Sequence, residues 1–147
     1  MLIGPPIDTA SIVDDITGLP TSVYFRPLLE AFFANLGQFH PSIQRGRIDQ
    51  VYKRQKLSRF LALSIAAVAA PFTEQSVLPK GAGDAYFDMA KNMTIESISL
   101  PNINVCEGCL LLAWCSFARN EESLCWVSTY IEAVYADSLA AILRHGR

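Results

Sequence analysis

Charged residues are scarce in this chain, at 18% of 147, and they nearly cancel to a net charge of −2. So weak a balance cannot steer nucleic acid by bulk charge. There are only two histidines, His40 and His145, each beside a Pro or Gly near the end of an element with no nucleophile at a recognisable local spacing. Neither has the partner that general-base or nucleophilic catalysis needs, and they read as a turn residue and a helix-end residue. A phosphate-cradling loop is also missing, since Gly81-Ala-Gly83 has no later Gly and no preceding strand. No catalytic residue is assigned, and no enzyme is expected. Strict apolar-polar alternation and Asn-Gly hairpin turns are absent as well, which excludes a sheet and leaves an all-α fold. The opening Met1-Leu-Ile-Gly-Pro-Pro-Ile lacks the basic start and long apolar stretch of a signal peptide, so the chain is expected inside the cell. Its longest apolar run, from Leu61 to Ala70, is closed by Arg59 and Pro71 and falls far short of the ~20 residues that span a bilayer, so no membrane partner is expected.

What is present is apolar and helical. Half the residues are apolar, and the length suits one core. Residues 1–19, with Gly4, Pro5, Pro6 and Gly18, read as a tail or linker, and 20–147 as the helical domain. Phe25, Leu29, Phe32, Phe33 and Leu36 recur at three- and four-residue spacing, which predicts a first helix capped by Thr21 or Ser22 and stopped at Gly37. Pro27 would kink it unless it falls in the first turn. After the turn-rich stretch Phe39-His-Pro-Ser-Ile-Gln-Arg-Gly-Arg47, a second helix runs from Leu57 to Ala70, apolar nearly all round and therefore central. Asp84 would cap a third, with Tyr86, Ala90 and Met93 on one face. Asn104 and Glu107 have capping-box spacing at the start of a fourth. A fifth is predicted from Glu121 to about Leu143. The expected architecture is a bundle or array of about five helices, an incomplete piece of a larger helical domain.

Three groups of side chains are candidates for function. Cys106-Glu-Gly-Cys109, with Cys115 and Cys125, supplies four thiols, but Cys109 and Cys115 lie within one helical run and would point to different sides. Buried thiols are therefore favoured over a zinc site, and no metal ligand is assigned. Arg45, Arg47, Lys53, Arg54, Lys56 and Arg59 form a candidate basic patch, for which a solvated loop and helix start is the plainer reading. Trp114, Phe117, Trp126 and Tyr130 are candidates to line a pocket, although aromatics at helical spacing usually pack inward as core.

The run Glu107-Gly-Cys-Leu-Leu-Leu-Ala-Trp-Cys-Ser-Phe-Ala-Arg119, followed by Ser123 and Trp126, resembles the fungal-specific transcription factor domain, the middle regulatory region of fungal zinc-cluster activators. Leu19-Pro-Thr-Ser22, the stretch from Phe32 to Phe39-His-Pro41, the alanine-rich Ile65 to Phe72, and Tyr86-Phe87 with Ala90-Lys91 fall in the family's order, so the resemblance covers roughly residues 19 to 139. It implies a nuclear regulator of DNA-templated transcription, with this chain as the N-terminal part of the regulatory domain. It further implies intramolecular or protein partners and a small-molecule effector. The family binds DNA through a six-cysteine zinc cluster, which this chain of four cysteines does not hold. DNA contact and zinc would belong to that missing module, and no cofactor is expected here. Two other classes compete. A free-standing helical ligand- or protein-binding module would keep the fold without the DNA-reading part, and a cysteine metal or redox protein would bind stoichiometric zinc or show thiol activity.

Overall fold

Ten consecutive residues, Phe60 to Ala69, are buried, and the helix that carries them, α4 (Arg59–Ala69), is the axis of the molecule. The structure, a computed structural model, describes residues 9–74, 76–99 and 102–118. Ahead of α4 come a single turn, α1 (Thr9–Ile12), then α2 (Ser22–Asn35) and α3 (Arg45–Lys53), and after it α5 (Ala82–Ile98) and α6 (Ile103–Ala118). Two 3-10 turns, Gly37–Phe39 and Ala70–Phe72, follow α2 and α4. The all-α expectation holds: among the described residues there is no strand, and one isolated antiparallel bridge joins Val13 and Pro20. None of the described helices is long and apolar enough to cross a membrane.

α4 packs against α2, α5 and α6, so its alanines have neighbours on every side. Small side chains are what permit this, since helices surrounded by other helices need short side chains to bring their axes within packing distance. Two glycines extend that close approach to both ends of α4. A Cβ on Gly83 of α5 would fall 2.8 Å from the Ala70 methyl carbon, and one on Gly108 of α6 would fall 2.5 Å from Cε2 of Phe60. Both distances lie inside van der Waals contact, so any larger residue must push the helices apart or displace its neighbour.

Several boundaries differ from expectation. Residues 9–19 are not simply a tail, because Ile12 and Leu19 are buried in the core. Gly18 and Pro20, which suggest a linker, instead help form a tight return. Asp14 Oδ1 accepts from the amides of Ile16 at 2.8 Å and Thr17 at 3.1 Å, and the amide of Asp14 donates to Leu19 O at 2.8 Å. The amides of Thr17 and Ile16 hold the exposed Asp14 carboxyl below its usual range. α2 runs through Pro27 to Asn35 and passes directly into the 3-10 turn at Gly37. Thr21 is its N-cap residue without capping by its side chain, and Pro27 lacks the amide that would otherwise bond the Val23 carbonyl. α5 starts after Gly81, with Asp84 in its first turn rather than at its cap. α6 is capped by Asn102, whose Oδ1 accepts from Val105 N at 3.1 Å, in place of Asn104. The expected helix from Glu121 to Leu143, with Trp126 and Tyr130, lies outside the described residues.

Tyr86, wholly buried in α5, donates its hydroxyl to the Ile12 carbonyl at 2.8 Å and so fastens α1 to the core. Burial pushes this phenol far above its ordinary value, which keeps it a donor. Tyr86→Phe should lower stability by about 1 kcal/mol, the cost of leaving a buried carbonyl unsatisfied. A urea midpoint reads this directly, and an unchanged midpoint would mean that water already serves Ile12.

Candidate functional site

α3 is the element the sequence hides. It holds a single buried residue, Ile48, and lies in the stretch expected to be turn and solvated basic loop. Ile48, Val51 and Tyr52 pack it on the core, with the Tyr52 ring 4.9 Å from that of Phe25, and its two arginines tie it to α2 and α6. Arg45 donates to Glu30 of α2 and lies over the Phe33 ring, 5.7 Å from the centroid. Arg47 Nη2 reaches both carboxylate oxygens of Glu107 in α6, at 3.0 and 2.8 Å, and also the Ser42 carbonyl at 3.1 Å. Glu107 is only 4% exposed, whereas Arg47 keeps about a third of its side chain in solvent at 34%. Glu107 is thus not a capping residue. It is a buried carboxylate whose charge is met by an arginine at the rim, the arrangement that makes an interior charge tolerable.

The candidate basic patch is divided by these contacts. Arg45 and Arg47 are engaged as described, and Arg59, at the start of α4, lies over Gly18, where a Cβ would sit 2.6 Å from its Nε. Lys53, Arg54 and Lys56 are exposed where α3 ends and the chain turns toward α4. Three cations on one turn are a small footprint, and the binding of a nucleic-acid backbone scales with the number of phosphates neutralised.

Directly beside the α3–α6 junction is an aromatic cluster that bridges the turn after α2 to α6. His40 is 2% exposed, its imidazole stacked on Phe32 with centroids 5.9 Å apart and set edge-on to Trp114 at 5.6 Å. Phe39 meets the same indole at 5.7 Å. Trp114, expected as core, is 44% exposed and forms the outer edge of this cluster. The Phe117 side chain and the whole of Trp126 and Tyr130 lie outside what is described. Neither ring nitrogen of His40 has a hydrogen-bond partner, so no nucleophile is held by this imidazole among the described residues. Burial lowers its proton affinity.

No family model, curated protein or solved structure matches this chain. The site is therefore read from its own chemistry.

The thiols share one helix: Cys109 and Cys115 are buried and Cys106 is half-buried, while Cys125 is outside the described residues. Among the described residues no three His, Cys, Asp or Glu side chains come together as metal ligands. On the opposite end of α4, an open cavity of about 600 Å³ lies between the Ala70–Phe72 turn and the start of α5, with Thr73, Leu78, Pro79, Lys80 and Asp84 among its lining residues. Sequence reasoning overlooked the Arg47–Glu107 pair and the burial of His40. The one signal available was an acidic residue inside an otherwise apolar helix, a position that demands a cation from elsewhere.

Proposed function

We propose that this chain is the regulatory domain of a fungal zinc-cluster transcription factor, acting on transcription in the nucleus while a separate cysteine-cluster module contacts DNA. The observation that carries this reading is how the family-like run is used. Its Glu107 meets Arg47 of α3, its Gly108 lies against Phe60 of α4, and its Trp114 meets the turn after α2. A run that gathers three elements at one helix suits a domain that transmits changes in packing, because interfaces of this kind switch between discrete arrangements. Partner proteins, or other parts of the same regulator, would read those arrangements. Zinc would belong only to the separate module.

The test is to fuse the full chain to an unrelated DNA-binding domain and follow a reporter. Output above or below that of the DNA-binding domain alone, at equal protein level, is the expected result. Output identical to the bare DNA-binding domain would remove the proposal.

A second reading, a free-standing ligand-binding module, draws on the 600 Å³ cavity, which falls within the roughly 300–1,000 Å³ of small-molecule sites. It predicts a small molecule that raises the melting temperature of the wild-type chain but not of Leu78→Trp, which fills the cavity. A compound that stabilised both equally would bind elsewhere.

A further inference from the structure

The buried polar side-chain atoms left without a partner among the described residues are both nitrogens of His40 and the hydroxyl of Ser116. His40 is the one of the two that titrates. A neutral imidazole offers one donor and one acceptor, and neither is used among the described residues. Its surroundings are rings: Phe32 of α2 on one face and Trp114 of α6 at its edge. Phe39, on the adjoining residue, lies against the same indole at 5.7 Å. Together Phe39 and His40 hold the turn at residues 37–44 against α6.

The same site is hostile to an imidazolium. A second N–H would appear with no acceptor, and the charge would sit among rings out of reach of water. Of the charged groups on the elements around it, Arg45 and Arg47 of α3 are engaged with Glu30 of α2 and Glu107 of α6, and α3 also carries Asp49, Tyr52 and Lys53. The remaining titratable groups on α2 and α6 are Tyr24, Arg26 and the thiols Cys106, Cys109 and Cys115. None of these moves the imidazole, and burial alone accounts for its lowered proton affinity.

We propose that His40 is a proton-gated latch: neutral, it closes the turn at 37–44 onto α6 through Trp114, and protonated, it leaves the ring cluster and releases that turn and Phe39. The sign follows from linkage. The released imidazole has its ordinary proton affinity near 6.5, and the closed one a lower value. The open form binds more protons, so the latch stays closed above 6.5 and loses stability as the pH falls through that value toward the closed-state one. Within that window the open-to-closed ratio rises by up to about tenfold per pH unit, the limit for one proton.

The experiment uses the full chain with Trp126→Phe and His145→Gln, so that Trp114 is the only indole and His40 the only histidine. Trp114 emission and its quenching by acrylamide are followed from about pH 8 to about pH 5, the range in which histidine titrates, with far-UV circular dichroism alongside. The expected result is a one-proton increase in Trp114 exposure with its midpoint below 6.5, at constant helicity, absent in His40→Phe. Should that variant not fold, His40→Gln serves, and NMR titration of His40 itself needs no substitution at that position. The proposal is overturned by an emission change that persists without His40, by helicity lost together with the emission change, by a flat profile, or by an imidazole titrating at or above 6.5.

Discussion

Gly108→Val is expected to lower stability by about 3 kcal/mol, at the upper end of the range for overpacking a closed core. The new Cβ alone would fall 2.5 Å from Cε2 and 2.6 Å from Cδ2 of Phe60, a ring that is buried at the start of α4. Valine then adds two methyl groups beyond that point. The ring must leave its position or α6 must move off α4, and either change opens the junction where Glu107 also sits. For a domain of this length the loss corresponds to a melting temperature roughly 6–12 °C lower. Gly108→Ala should be milder, because alanine regains about 1 kcal/mol of helix propensity while Phe60 takes up the single methyl. Replacing Phe60 by Leu should cost stability in the wild type, yet that cost should shrink in the Gly108→Ala background, the signature of two residues sharing one space. Equal costs in both backgrounds, or a wild-type melting temperature for Gly108→Val, would show that the two helices do not meet there.

The elements that were legible in the sequence are those whose stabilisation is periodic and apolar. α4 reads as a central helix because nearly all of its side chains are apolar and many are alanine, and α2 because its phenylalanines and leucines recur at helical spacing. α3 has only a short apolar stripe, Ile48, Val51 and Tyr52, within nine mostly polar residues. Ile48 is its only buried residue, and its arginines find their partners in α2 and α6, which no local pattern announces. The same limit explains the caps: Asn102 and Asn104 are both good capping residues, and where the chain turns out of α5 decides between them. His40 shows the problem at the candidate site. Next to Pro41 it has every local mark of a turn residue, and its backbone does form a turn, with its amide on Gly37 O at 3.2 Å. Its burial depends on an indole delivered by α6, far along the chain.

Arg47 and Glu107 should be strongly coupled, and unequally so when replaced one at a time. Removing one partner of a fully buried ion pair costs about 3–5 kcal/mol because the remaining charge is stranded. Arg47 is one-third exposed, so water screens part of the loss, and about 2–3 kcal/mol is the expected cost of Arg47→Ala. Glu107→Gln should cost less than Arg47→Ala. The amide keeps an acceptor facing the guanidinium, and an unpaired arginine at the rim can turn to solvent whereas an unpaired carboxylate at 4% exposure cannot. The informative construction is therefore Arg47→Ala with Glu107→Gln. Taking away the stranded charge should restore about 1 kcal/mol or more relative to Arg47→Ala alone, so that the double variant is more stable than one of its parents. Urea unfolding of the four proteins gives the coupling energy without assigning it to either residue. Strictly additive losses would mean that Glu107 is not held by Arg47, and the placement of α3 would then rest on its apolar contacts, Ile48, Val51 and Tyr52.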